Sequence, residues 1–207
     1  MTYGEARDKT LQLINSYSLG GRLIESTYNE QQDYINRIPG LLNDAMVFIA
    51  MNIRPIQAQE VLDYRQAEKV GGMYRFDLPL DFYEIDTAGL LVVSGCASYR
   101  STSYTLLDSD EAILVPWLDG EVMLLYHRMP KLLPAKPAVD TKLFGEKAVQ
   151  YVLPYYAAAQ LILQDDAYAY TQLYNEWTTR VAQLRPAPRP EYGLVEDAYG
   201  MDSWGDF

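Results

Sequence analysis

Between Gly145 and Leu184 apolar or aromatic residues recur at Val149, Val152, Tyr156, Ala159, Leu163, Ala167, Tyr170, Tyr174, Trp177, Val181 and Leu184, always at gaps of three or four. That spacing lays one stripe along an α-helix. It predicts a long helix of about 31 residues from Pro154, roughly 46 Å at ~1.5 Å per residue. Pro154 has no amide hydrogen and crowds the preceding turn, so a kink or a helix restart is expected there. Pro186, Pro188 and Pro190 end the pattern. At the other end of the chain, Ala6, Thr10, Leu13, Ile14 and Tyr17 share one side of a helix expected over 4–17. Gly20-Gly21 turns the chain back. Thr27 and Glu30 match the reciprocal T-x-x-E cap of a second helix. Ile35, Ile38, Leu42, Ala45, Ile49 and Ile53 form its stripe, with a bend or short break expected at Pro39-Gly40.

From Arg54-Pro55 to about Asp140 the period shortens to two. Tyr74, Phe76 and Leu78 alternate with Met73, Arg75 and Asp77 after Gly71-Gly72, a pair suited to a two-residue hairpin turn. Short strands are expected from Phe82 to Asp86, Leu90 to Ser94, Ser103 to Leu107 and Ala112 to Pro116. Asp119-Gly120 is the strongest hairpin signal in the chain. Beyond it Val122, Leu124 and Tyr126 face one side of a strand, and Met123, Leu125 and His127 the other.

The expected fold class is α+β. N-terminal helices (1–55) and a long C-terminal helix (141–185) pack as a helical bundle. A small antiparallel sheet or sandwich is inserted between them (56–140), and an extended tail (186–207) follows. Hydrophobic residues make up 49% of the chain, enough for a real core. Tyrosine is abundant, 18 against 5 Phe and 3 Trp, and its apolar ring with a polar tip suits interfaces as well as cores. Seventeen basic and 28 acidic side chains give a net charge of −11, which argues against a protein that grips nucleic acid by displacing counterions. The start has neither the basic residues nor the apolar run of a signal peptide, and no segment approaches a membrane span, so a soluble protein made in the cytosol is expected.

Cys96 and His127 are single residues of their type, which rules out an intramolecular disulfide and zinc sites built from Cys and His. Asp108-Ser109-Asp110-Glu111 lacks the glycine and distal glutamate of a calcium loop and reads as a solvated turn. Asp165 and Asp166 are neighbours pointing about 100° apart on a helix, so they do not address one atom together. Asp81, Glu84 and Asp86 are weak evidence for hydrolysis, and His127 reads as a sheet residue. No phosphate loop, dinucleotide fingerprint or nucleophile elbow occurs. Arg128, Lys131 and Lys136 form a modest basic concentration, read as a solvated loop. The inventory favours a structural or interaction protein with no enzymatic turnover, no metal and no cofactor. The competing readings are a tail-associated hydrolase working through carboxylates and a generic interaction module.

Several stretches carry a resemblance. They are Leu11-Gln12-Leu13-Ile14-Asn15 with Tyr34-Ile35-Asn36-Arg37-Ile38-Pro39-Gly40-Leu41-Leu42-Asn43-Asp44-Ala45, and Leu78-Pro79-Leu80-Asp81-Phe82-Tyr83-Glu84 with Tyr126-His127-Arg128-Met129-Pro130. The most telling is Leu153-Pro154-Tyr155-Tyr156-Ala157-Ala158-Ala159 running through Asp165-Asp166-Ala167 to Tyr174-Asn175-Glu176-Trp177. In this order they resemble the head-to-tail adaptor (head-completion or connector) proteins of tailed bacteriophages, especially short-tailed ones. The resemblance implies a ring, commonly of twelve copies, beneath the portal protein. Such a ring extends the DNA channel, passes genomic DNA without reading its sequence and docks downstream tail or nozzle proteins. It also implies a place at the head–tail interface of the virion, reached from the host cytoplasm during assembly, and no membrane partner. Tyr156, Tyr170, Tyr174 and Trp177 are the expected subunit-packing residues. In the tail, Tyr192, Leu194, Val195, Tyr199, Met201, Trp204 and Phe207 are the expected docking residues, ordered only in the complex.

Overall fold

Helix α1 (Tyr3–Leu13) begins at a reciprocal cap. The Thr2 hydroxyl accepts from the Glu5 amide at 3.3 Å, and the Glu5 carboxylate accepts from the Thr2 amide at 2.9 Å. The T-x-x-E signature is therefore also used here, at the start of the helix expected over 4–17. The structure, a computed structural model, describes residues 1–14, 28–95, 97–107 and 111–184. Among them it is mixed α+β, with four helices and two antiparallel sheets. The expected Gly20-Gly21 turn, Thr27 with its cap, Cys96, Asp108, Asp110 and the tail lie outside the described residues.

Helix α2 (Tyr28–Asn52) runs unbroken through Pro39, against the break expected there. Proline removes one amide, and that loss is local. Ile38, Leu42, Ala45 and Ile49, all within 1% of full burial, hold both sides of it to the same core. Pro154 is likewise inside a helix, α3 (Lys147–Ile162), and is itself buried. The single long C-terminal helix is the larger correction. The chain leaves the helix after Ile162 and re-enters it as α4 (Ala167–Leu184). α4 then folds back along α3, so that Arg180 lies 4.3 Å from the ring of Tyr155 and Trp177 lies 5.0 Å from that of Tyr156.

Asp166 explains the second start. One of its carboxylate oxygens accepts from the Tyr168 and Ala169 amides at 3.0 and 2.9 Å, satisfying donors that a helix N-terminus leaves open. The three- and four-residue spacing survives because two antiparallel helices each turn a stripe toward shared neighbours. The stripe members at the junction, Leu163 and Ala167, are exposed. Asp166→Ala is expected to cost about 0.5–2 kcal/mol in urea unfolding with an unchanged m-value.

Among the described residues eight strands follow α2: β1 (Ile56–Leu62), β2 (Glu68–Val70), β3 (Met73–Asp77), β4 (Phe82–Ser94), β5 (Ala97–Ser101), β6 (Thr105–Leu106), β7 (Ala112–Val115) and β8 (Glu121–Arg128). They form two four-stranded sheets of order β1-β8-β4-β5 and β2-β3-β7-β6. Leu62, Leu90, Val92, Val122, Leu124 and Tyr126 of the first sheet share one core with Phe76, Ile113 and Val115 of the second. The hairpin at Gly71-Gly72 forms as expected, with φ of 57° and 87° at the two glycines. β8 alternates as expected, with Val122, Leu124 and Tyr126 buried.

Asp119-Gly120 does not make a hairpin. β7 pairs with β3 and β6, and β8 with β1 and β4, so this turn carries the chain from one sheet to the other. The two strands expected over 82–94 are one strand, β4, with register shifts between Phe82 and Glu84 and between Ile85 and Leu90. A strap over 129–146 returns to the helices. The Tyr3 and Gly4 amides donate to Thr141 and Val139, and Asn43 holds Leu133 through both its backbone groups.

Candidate functional site

The helical core places the four expected packing residues together, with one that the spacing did not flag. Trp177 on α4 is 3% exposed. Its ring sits 5.0 Å from Tyr156 on α3, 5.3 Å from Tyr174 one turn away and 5.4 Å from Phe48 on α2. Tyr170 stacks on Tyr174 at 5.5 Å and carries the row toward the α3–α4 turn. Trp177 is thus covered inside its own chain, whereas Tyr156, Tyr170 and Tyr174 are partly exposed and Phe48 is 43% exposed. Phe48 lies beside the buried Ala45–Ile49 stripe, and a large aromatic out of phase with its stripe is the signal that marks it. Burial pushes the Tyr156 phenol up, with the Asp44 carboxylate adding to the shift. Tyr156, Tyr170 and Tyr174 present ring edges together with hydroxyls that donate and accept hydrogen bonds, the chemistry of a protein contact. Tyr151 and Tyr168, 59% and 75% exposed, add rings elsewhere on the same helix pair. The expected docking residues Tyr192, Leu194, Val195, Tyr199, Met201, Trp204 and Phe207 lie outside the described residues.

A second cluster gathers polar groups on the first sheet. His127 Nε2 lies 3.2 Å from Asp86 Oδ2, which also accepts from the Gln57 amide at 3.2 Å. His127 Nδ1 is buried without a hydrogen bond among the described residues and stands 3.7 Å from Glu84. Asp81 faces other partners, accepting from the Tyr126 hydroxyl at 3.2 Å and pairing with Arg128 at 3.7 Å. The three acids of the loop and strand therefore clasp side chains of β8. Two carboxylates that cleave a glycosidic bond flank one space, and here Asp81 and Asp86 hold separate partners. Among the described residues no group of three or more His, Cys, Asp or Glu is arranged to hold a metal ion, and no helix is long and apolar enough to cross a membrane.

Tyr126 gives this cluster a pH dependence. Burial first, then the charge and hydrogen bond of Asp81, push its phenol up to about 12. An unfolded tyrosine ionises near ~10. Between those values the folded chain keeps a proton that the unfolded chain releases. Stability from this group is whole below pH 10 and falls as pH rises toward 12. Tyr126→Phe is expected to flatten that fall, read as urea midpoints at pH 9, 10, 11 and 11.5.

The helices and the first sheet meet over a cleft of about 370 Å³ lined by Met46, Ile49, Arg54, Phe144 and Val149 among others. Arg54 closes one side, bonding Glu146 at 2.9 Å and the Leu184 carbonyl at 3.4 Å. Arg128 lies over the Phe144 ring at 5.3 Å. No protein-family model matches this sequence, and no curated protein matches it.

Proposed function

We propose that this protein is a structural component of a tailed-phage virion, a head-to-tail adaptor. Its copies close into a ring beneath the portal, twelve by the family resemblance. The ring extends the DNA channel and offers downstream tail or nozzle proteins a platform. The finer architecture belongs to the same reading: residues 1–55 and 141–185 form the bundle that packs in the ring, 56–140 project as the β subdomain, and 186–207 reach out to dock.

The observation that carries the proposal is the aromatic row Phe48–Trp177–Tyr174–Tyr170 with Tyr156 beside it. It anchors on one buried indole and leaves several rings half-covered on one helical layer. Rings half-buried in the monomer lose the rest of their apolar surface to a neighbour at little further entropic cost, because packing already fixes them. The net charge of −11 fits a channel wall along which DNA slides without being held.

Electron microscopy of the assembled particle tests this reading. A closed ring between portal and tail is expected. A single copy, or a place on the capsid exterior, overturns it. Truncation after Arg185 is expected to leave melting unchanged and to abolish incorporation into particles, and full incorporation of the truncated chain refutes the docking role of the tail.

A further inference from the structure

At the far end of the β sheets from the helices, three aromatic rings line a cleft of about 560 Å³ that no described residue fills. The Tyr64 ring lies 4.8 Å from both Tyr74 and Trp117, and Tyr74 and Trp117 are 6.0 Å apart. The arrangement is fixed before any ligand arrives. The Tyr64 hydroxyl donates to the Pro116 carbonyl at 2.8 Å and accepts from the Leu118 amide at 3.3 Å, clamping the turn that carries Trp117. Trp117 is nevertheless 62% exposed and the adjoining Val61 53%, so an indole face and an aliphatic wall stand open to water. Asp63 and Glu121 line the same cleft, and Glu60, Glu68 and Asp77 line the groove beside it. Of the cations there, Arg65 pairs with Asp63 at 3.5 Å, Arg75 pairs with Glu68 and Asp77 at 3.6 and 3.4 Å, and Lys69 lies 5.8 Å from the Tyr74 ring. That leaves Glu60 and Glu121 as rim carboxylates outside any ion pair of the described residues. Fixed aromatic rings with an acidic rim suit a proline-rich segment that carries arginine. Proline rings stack on aromatic faces, an extended segment stiffened by proline has little entropy left to lose, and guanidinium groups meet carboxylates and indole.

This chain contains one such segment, Arg185-Pro186-Ala187-Pro188-Arg189-Pro190. Each of its residues is either a proline, whose ring fixes φ, or precedes one and so disfavours the helical region, a sequence pattern that favours an extended segment. Its two arginines come before any acid, the first being Glu191. We propose that the Tyr64–Tyr74–Trp117 cleft binds the 185–190 segment of a second copy of this chain, linking neighbours head to tail. The geometry argues for a second copy. The Leu184 carbonyl lies 3.4 Å from the Arg54 guanidinium, at the opposite end of β1 from the cleft. From Ile56 to Leu62 that strand covers roughly 20 Å at ~3.3 Å per residue. The six residues from Leu184 to Pro190 span about 19 Å at ~3.1 Å each. At most the last proline of the chain's own segment comes near its own rings, and Arg185, bonded to Leu184, stays at the other end of β1. The whole segment therefore fits the cleft only when it comes from another copy.

The proposal rests on the ring reading only in requiring that copies meet, and its test separates the two. A fluorescein-labelled peptide of residues 184–192 is titrated against the full-length protein by anisotropy, at peptide concentrations above those of the chain's own tails. Saturable binding is expected. Trp117→Ala, a change at an exposed ring, should weaken it at least tenfold with an unchanged circular dichroism spectrum, and Trp117→Tyr should keep part of it. The peptide with all three prolines replaced by alanine should fail to bind. In a Cys96→Ser background, oxidation of a mixture of Val61→Cys and Ala187→Cys chains should give a covalent dimer of the two. Absence of peptide binding, binding indifferent to Trp117→Ala, or disulfide formation only within a chain carrying both cysteines overturns the proposal. So does binding of chitotetraose in place of the peptide, which assigns the rings to sugar stacking. Peptide binding without rings in the microscope sinks the ring and leaves the cleft, and rings without peptide binding do the reverse.

Discussion

Trp177→Ala is expected to lower the stability of the folded chain by about 3–5 kcal/mol, the range for deleting a buried large aromatic. At about 2–4 °C per kcal/mol for a chain of this size, the melting temperature should fall by roughly 6–20 °C. The indole is 3% exposed and its ring contacts join α2, α3 and α4, so its loss opens a cavity where three helices meet. One turn away, Arg180 lies 4.3 Å from the Tyr155 ring and also holds α4 to α3. Trp177→Phe provides the control. The Trp177 Nε1–H is buried without a partner among the described residues, and an unsatisfied donor costs about 1–3 kcal/mol. Phenylalanine removes that donor and keeps a ring, so its loss should stay within about 1.5 kcal/mol. Urea unfolding of the three proteins decides the matter, and a Trp177→Ala variant as stable as the parent rules out the indole as the anchor of the helical layer.

Gly120→Asn is expected to be strongly destabilising while Gly72→Asn is nearly silent. A type I′ hairpin places its residues in the left-handed region, which asparagine tolerates. Gly71 and Gly72, at φ of 57° and 87° with nothing within 4 Å of a built Cβ, meet that description. Gly120 sits at φ 133°, and its Cβ would stand 2.5 Å from the Val93 carbonyl oxygen on β4. The backbone strain alone is worth about 1–3 kcal/mol, and relieving the overlap pushes the sheet-crossing turn off the end of β4. Gly72→Asn should remain within about 0.5 kcal/mol of the parent. Equal tolerance at both positions would mean that Asp119-Gly120 behaves as a simple hairpin.

The chain by itself determined the inward face of several elements. The three- and four-residue spacing of Ile38, Leu42, Ala45 and Ile49, the alternation of Val122, Leu124 and Tyr126, and the Gly71-Gly72 turn are all local properties. Burial relative to one axis, or the φ available to one residue, settles them. Local spacing is blind to what covers a face. The same stripe serves one long helix or two helices folded together, and only the Asp166 cap, with Trp177 set against Tyr156, separates α3 from α4. A turn pair such as Asp119-Gly120 joins strands of one sheet or of two, and the pairing of β7 with β3 and β6 and of β8 with β1 and β4 decides for the second here. Phe48 beside Trp177, Asp86 beside His127, and Tyr64 beside Trp117 are contacts between residues at least 41 positions apart. Tertiary structure alone decided them, because free energy gained at such a contact depends on where the rest of the chain has brought its partner.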